Sequence, residues 1–262
     1  MSPIAIQIGE FTIRWYGVMA ALGFLAAAFF INWNRKEAKL TSDQAANLVF
    51  IAMVAGVTGS RIFYVVQFSS QFKNNFLDII RIDKGGLVFY GGFILAIICI
   101  YIYCRMCKLD IIKVFDVFTP AMSFAHACGR IGCFLNGCCY GTMTTSWIGM
   151  KYPVYSEPYM RYPDAALHPV QLYEAAFNFI LCGIMIYLVR KVRYKGVPMG
   201  CYFIAYGFMR FIFEFFRGDN AKIAGLTIAQ YIGIGLIAAG IAIVIFGFRY
   251  KILPEESAEA QA

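Results

Sequence analysis

Long apolar runs alternate with short polar segments along most of this 262-residue chain. A helix needs about 20 apolar residues to cross a hydrocarbon core of about 30 Å, and seven runs approach that length. They cover residues 15–33, 46–68, 86–104, 113–128, 172–189, 199–216 and 226–248. The pattern predicts an all-α integral membrane protein with about seven transmembrane helices in a single domain, residues 1–262.

Three segments depart from this pattern. Residues 1–13 alternate apolar and polar positions, which predicts a short strand at the outer membrane surface. Residues 129–171 are predicted to be an outer, periplasmic loop region after the fourth helix. Its tyrosines and prolines favour an interfacial loop, with a lid as the alternative. Residues 254–262 are predicted to be a cytoplasmic tail.

Basic residues next to the spans predict the orientation. If the N-terminus is outside, every cytoplasmic segment carries Lys or Arg close to a span end, whereas the outer basic residues are spread over longer loops. Short basic flanks mark the cytoplasmic side, so we expect an outside N-terminus and a cytoplasmic C-terminus. The net charge of +8 then reflects topology and contact with anionic lipid headgroups, and no nucleic-acid partner is expected.

Two arginines, Arg61 and Arg210, lie inside predicted spans. An Arg at the bilayer centre costs about 2.5–3.5 kcal/mol on the most lenient scale, so such residues tend to be functional. With the N-terminus outside, both fall in the outer half of the membrane, as do Tyr16, Tyr90 and Glu174. This distribution predicts a cavity that opens to one leaflet and to the outside.

The segment His126–Gly141 holds Arg130, Asn136, four cysteines and four glycines. Its glycines predict a sharp bend or a close approach of the backbone to another group. Because the preceding span is predicted to end at 128, Arg130 would face the lipid headgroups. We interpret the segment as one that grips an anionic lipid.

Arg210 and Glu214 are four residues apart and share one helix face. Their ion pair either joins two helices or orients the guanidinium group towards a ligand, and both interpretations stay open. Arginine presents a planar fork of five donors, which suits phosphate. Gln171 and Glu174, at the start of the fifth span, either cap that helix or face the same site. For His126 a packing role is preferred.

The cysteines between 128 and 139 recur about every five residues, without the C-x2-C spacing of paired zinc ligands. Cys104 and Cys107 have that spacing, but they fall at the opposite side of the membrane. No metal site and no cofactor are therefore predicted. A disulfide among the outer cysteines is an alternative, because that compartment can be oxidising.

Six groups of residues, taken in order, resemble the prolipoprotein diacylglyceryl transferase family of bacterial inner membranes. They are Arg14-Trp15-Tyr16-Gly17, Gly59-Ser60-Arg61, Gly85-Gly86 with Tyr90-Gly91-Gly92, Gly129-Arg130-Ile131-Gly132 with Phe134-Leu135-Asn136-Gly137, His168-Pro169 with Gln171-Leu172-Tyr173-Glu174, and Arg210 with Glu214-Phe215-Phe216-Arg217. The resemblance spans nearly the whole chain. It implies seven helices with the N-terminus outside, in agreement with the charge pattern.

The resemblance also implies an activity. It is the transfer of a diacylglyceryl group from phosphatidylglycerol to the lipobox cysteine thiol of a prolipoprotein, the first step of bacterial lipoprotein maturation. Arg130 matches the family's signature arginine, which binds the headgroup, and Arg210 matches its second essential arginine. We expect both to hold the phosphate, with Glu214 orienting Arg210, while Tyr90 or Glu174 accepts the thiol proton.

Headgroup contacts are expected from Tyr16, Arg61, Asn136 and Gln171 as well. The chain departs from the family pattern at three positions. Many members have histidine where Tyr90 stands, and the signature usually has Asn at Cys133 and Glu at Cys138. These departures leave room for a divergent lipid-group transferase with another acceptor. A lipid or small-anion transporter is a further alternative, although spans one, three and seven carry almost no polar residues towards the inner face.

Overall fold

The computed structural model describes residues 3–9, 11–72, 76–81, 85–217 and 222–249. Within these ranges, seven helices are long and apolar enough to cross a membrane, as the sequence predicts. The helices are α1 Trp15–Asn34, α2 Ser42–Gln67, α3 Phe89–Met106, α4 Ile111–Asn136, the short α5 Glu157–Arg161, α6 Val170–Lys191, α7 Val197–Phe213 and α8 Ile228–Gly247. The predicted tail lies outside the described residues.

The chain forms two compact units. One comprises residues Met1–Phe30 and Phe115–Ala262, and the other comprises Ile31–Val114. In the second unit, α2 and α3 pack at very short distance, because a Cβ atom on Gly59 would lie only 2.5 Å from the Gly91 carbonyl oxygen. Small residues allow helix backbones to approach closely. Such packing matters in membranes, because the hydrophobic effect does not drive helices together in lipid.

Close backbone contacts at glycines also join α7 and α8 in the first unit. A Cβ atom on Gly207 would lie 2.5 Å from the Gly233 carbonyl oxygen, and one on Gly240 would lie 2.6 Å from the Gly200 carbonyl oxygen. Two glycine contacts, about two helical turns apart, therefore hold these helices together along their length.

The fourth span is longer than predicted. The expected end at residue 128 is wrong, because α4 continues to Asn136 and includes Arg130. Within α4, Gly132 packs against Tyr16 of α1. A Cβ atom on Gly132 would lie 3.2 Å from the Tyr16 ring. The chain turns only at Gly137, whose φ of +74° lies in the left-handed region that favours glycine. The non-helical part of the predicted loop region therefore begins at residue 137.

Strand structure is confirmed in the first 13 residues, although the segment forms a hairpin and not a single strand. β1 Ile4–Ile8 pairs antiparallel with β2 Phe11–Arg14, which leads directly into α1. A second small hairpin, β3 Lys222–Ile223 with β4 Leu226–Thr227, leads in the same way into α8. Each hairpin thus fixes the entry of the chain into a membrane helix.

The loop between α4 and α6 has a small core of its own. Tyr140, Tyr152 and Leu167 are buried there, and Leu167 also bridges the backbone of Met143 and Met150. The predicted interfacial belt is therefore only part of the arrangement: Tyr155 is 90% exposed, whereas Tyr152 is 5% exposed and lies inside this core. Burial raises the pKa of the Tyr152 hydroxyl.

Asp116 aligns α4 with α7. Its buried carboxylate accepts hydrogen bonds from the backbone N–H groups of Gly196, at 2.8 Å, and Met199, at 2.9 Å. A carboxylate at a helix N-terminus satisfies free N–H groups and complements the helix dipole. Arg130 and Arg210 each lie 14 residues beyond this contact on their own helices, or about 21 Å at 1.5 Å per residue. The cap therefore places both arginines at the same height along the axes of α4 and α7.

Candidate functional site

Arg130 and Arg210 meet at one buried carboxylate of α6. Arg130 Nε lies 2.5 Å from Glu174 Oε2, and Arg210 Nη1 lies 3.5 Å from Glu174 Oε1. The Glu174 side chain is 1% exposed. A buried unpaired carboxylate is strongly unfavourable, so two guanidinium partners compensate for its loss of water. Three helices of the first unit thus place oppositely charged groups in contact.

Glu214 adds a second carboxylate. It follows the end of α7, and its Oε2 lies 3.2 Å from Arg210 Nη2, at the predicted spacing of four residues. Arg210 is therefore held between Glu174 and Glu214. These two arginines and two glutamates carry no net charge together, so the cluster is a fixed, balanced array and not simply a concentration of positive charge.

Arg130 keeps most of its donors. Its Nε donates a hydrogen bond to His126 Nε2 at 3.3 Å and forms an ion-pair contact with Glu174 Oε2. Neither of its Nη groups has a hydrogen-bond partner among the residues that the structure describes. The side chain retains 15% of its exposure. Its terminal fork is therefore available to an anion, in the geometry that binds two phosphate oxygens.

His126 belongs to this cluster, which the sequence did not suggest. Besides its contact with Arg130, its Nε2 lies 3.7 Å from Glu174 Oε2, and its ring packs edge-on against Tyr206. The sequence signal that could have placed His126 in the site was its position one turn before Arg130 on the same face of α4. The apolar surroundings of His126 in the sequence favoured a packing role instead.

Gln171 holds the loop that follows α4. Its Nε2 donates to the Cys138 carbonyl oxygen at 2.7 Å, and its side chain lies within 3.4 Å of the Tyr152 hydroxyl. The residue is fully buried. Because its amide bonds to the protein, Gln171 positions this loop. Its expected contact with the headgroup stays a prediction.

Tyr16 and Asn136 border the same region. Tyr16 is half-exposed and packs over Gly132, and Asn136 is exposed at the last position of α4. Both lie within two turns of Arg130 along or against α4. Their predicted contacts with the headgroup stay predictions.

Arg61 and Tyr90 belong to the second unit. Tyr90 lies in the first turn of α3 and is 59% exposed. Arg61 is buried, and its N–H groups donate to four backbone carbonyl oxygens at 2.5–2.9 Å. It therefore ties α2 to the connection that leads to α3. Its expected role in binding substrate stays a prediction.

Sequence similarity to known proteins bears on this site. The family model described as prolipoprotein diacylglyceryl transferase matches residues 3–246. The chain belongs to the prolipoprotein diacylglyceryl transferase family. Among relatives called phosphatidylglycerol–prolipoprotein diacylglyceryl transferase, one from Clostridium botulinum (strain Langeland / NCTC 10281 / Type F) is 32% identical over 256 residues, which cover 98% of this chain and 99% of the relative.

A second relative of the same name, from Clostridium kluyveri (strain ATCC 8527 / DSM 555 / NBRC 12016 / NCIMB 10680 / K1), is 35% identical over 238 residues, which cover 90% of this chain and 93% of the relative. Because each similarity covers at least 90% of this chain, both include the region of the Glu174 cluster. The family predicted from the six groups of residues is confirmed.

Proposed function

We propose that this chain transfers the diacylglyceryl group of phosphatidylglycerol to the cysteine thiol of prolipoproteins in the bacterial inner membrane, as the first step of their maturation. The observation that carries the proposal is the free terminal fork of Arg130, held beside Arg210 by the buried carboxylate of Glu174. A lipid phosphate is the anion that reaches such a site from the membrane.

The chemistry explains why fixed guanidinium groups are needed. A thiolate sulfur attacks the glyceryl carbon, so that a C–S bond forms and the C–O bond to the phosphate breaks. The electron pair of that bond leaves with the phosphate oxygen as glycerol phosphate, which gains one negative charge. Donors that are already oriented towards the growing charge stabilise the transition state without reorganisation.

Glu174 acts in this proposal by holding the donors in place. Both of its oxygens contact guanidinium nitrogens, one from each arginine. Between Tyr90 and Glu174, the two proton acceptors expected from the sequence, we therefore assign Glu174 to positioning. Glu214 has the same task for Arg210 alone.

The proposal is tested with purified protein in detergent micelles, phosphatidylglycerol and a peptide that carries a lipobox cysteine. We expect a lipidated peptide of altered gel mobility and an equal amount of released glycerol phosphate. Arg130→Gln should lower kcat by about 10²–10³, the effect of removing one such donor. Arg190→Gln, in the last turn of α6, is the matched control and should retain activity. Full activity of the Arg130→Gln protein would refute the assignment.

A further inference from the structure

Three thiols come together where α4 ends. The Sγ atoms of Cys133, Cys138 and Cys139 all lie within 4.8 Å of one another, and each residue is partly buried. Among the described residues, no other three side chains of His, Cys, Asp or Glu meet in this way. The described cysteines are all free thiols, so no bond between two of these sulfur atoms consumes them.

The end of α4 explains how a C-x4-C spacing brings two thiols together. The Gly137 N–H donates to the Phe134 carbonyl oxygen, and the Cys138 N–H donates to the Cys133 carbonyl oxygen, both at 3.1 Å. With Gly137 in the left-handed conformation, this is a Schellman motif. The first and last residues of that motif characteristically pack against each other, and here both are cysteines.

The third thiol is brought in by the next residue. Cys139 has a φ of +63°, a conformation that a non-glycine residue rarely adopts. The preceding carbonyl, that of Cys138, is held by the fully buried Gln171 at 2.7 Å. Such a backbone persists only where its surroundings impose it, and it tends to occur at functional sites. The chain here adopts an unfavourable conformation that gathers a third sulfur.

We propose that these three cysteines bind a zinc ion and that the fourth position of the ion takes the cysteine thiol of the substrate. Thiolate ligands select soft or borderline ions such as Zn²⁺. Tetrahedral Zn–S bonds of about 2.3 Å place sulfur atoms about 3.8 Å apart, so only a small contraction of this cluster is needed. Zinc sites with three protein ligands leave one position for water or substrate.

The location suits this role, which rests on the proposed function. Cys133 follows Arg130 by three residues, so the two side chains are neighbours on the surface of α4. A thiol that coordinates zinc is deprotonated, and its proton goes to water. The resulting thiolate attacks the glyceryl carbon beside the arginine fork. The product thioether is neutral, binds zinc weakly and leaves the fourth position open.

Metal binding is tested directly on the purified chain. We expect zinc to bind in equimolar amount in competition with a chromophoric chelator, and Co²⁺ to give the charge-transfer absorption of thiolate ligands. Cys139→Ser should weaken zinc binding at least about tenfold, as should Cys133→Ser. Cys128→Ala, a buried cysteine of the same helix outside the cluster, is the matched control. Absence of zinc binding by the unaltered protein, unchanged binding by Cys139→Ser, or a disulfide within the trio would overturn the proposal.

Activity gives a second readout, independent of the variants. A free thiol with a pKa of about 8.5 is only about 3% ionised at pH 7. We expect the rate of the zinc-loaded protein to be nearly constant between pH 7 and 8.5, and that of the zinc-stripped protein to be lower and to rise about tenfold per pH unit at low pH. Identical profiles would overturn the catalytic role of zinc and leave the transferase intact. Zinc binding without any transfer from phosphatidylglycerol would instead overturn the proposed function.

Discussion

Arg61 and Arg130 are both arginines within membrane-spanning helices, but they use their donors differently. Arg61 donates four hydrogen bonds to backbone carbonyl oxygens, and Arg130 uses only Nε, on a carboxylate and an imidazole. The acceptors of Arg61 are Asp78, Ile79, Gly85 and Gly86. An arginine in a membrane helix can therefore serve mainly to connect helices, and available donors are what distinguish Arg130 as a candidate for anion binding.

The partners of the two arginines also differ in charge. Neutral carbonyl groups satisfy Arg61, whose guanidinium group also stacks on Tyr64 and Phe72. Arg130 shares a carboxylate with Arg210, so removal of that carboxylate would leave two cations without their common partner. The first arrangement stabilises a connection between helices, whereas the second, in the function proposed above, keeps a fork in position for an external anion.

The strongest test of this contrast is Glu174→Gln. We expect destabilisation of about 3–5 kcal/mol, because the partly buried Arg130 loses its charged partner and Arg210 keeps only Glu214. Transfer activity should also fall by at least about 10², since the fork of Arg130 is no longer held in place. Thermal unfolding in detergent and initial rates of peptide lipidation measure the two effects. Unchanged activity in the folded variant would show that Glu174 does not position the site.

Arg61→Lys should reduce stability with a smaller effect on chemistry. A single ammonium group cannot replace the three nitrogens from which Arg61 donates to these carbonyl oxygens, so at least one buried acceptor loses its partner, at a cost of about 1–3 kcal/mol. We expect a lower Tm with KM for phosphatidylglycerol unchanged. A raised KM at unchanged Tm would instead support the substrate contact predicted from the sequence.

Asp116→Ala tests whether the distant helix cap stabilises the contact between α4 and α7. We expect a loss of about 1–2 kcal/mol, typical of a removed N-terminal cap, because the N–H groups of Gly196 and Met199 lose their acceptor. Asp116→Asn keeps one acceptor oxygen and should lose less. Chemical denaturation of the reconstituted protein measures the difference, and equal stability of Asp116→Ala and the unaltered protein would contradict the argument.

Tyr16→Phe should have the smallest effect. The half-exposed ring that packs over Gly132 is retained, so stability should change by less than about 0.5 kcal/mol. If the hydroxyl bonds to the headgroup, KM for phosphatidylglycerol should rise about fivefold, the loss of one hydrogen bond of about 1 kcal/mol. A KM equal to that of the unaltered protein would remove Tyr16 from the site.

Much of the candidate site was visible in the sequence, although its contacts were not. The spacing of Arg210 and Glu214 predicted their ion pair, because residues four positions apart are neighbours on the surface of a helix. The pairing of Glu174 with Arg130 joins residues 44 positions apart and depends on how α4 packs against α6. No local pattern encodes such a distance. For His126 a local signal existed, its position one turn before Arg130, but its apolar surroundings favoured a packing role.

The sequence alone determined the seven spans, the strand structure at the start of the chain and the family. Hydropathy and ordered motifs are properties of consecutive residues, so they do not depend on the packing of distant segments. Tertiary structure decided which donors stay available, where α4 ends and which sulfur atoms meet. These outcomes depend on side chains from separate segments and on a left-handed turn at Gly137. The physical reason is that crossing a membrane depends on the summed apolarity of one segment, whereas a site depends on the packing of several.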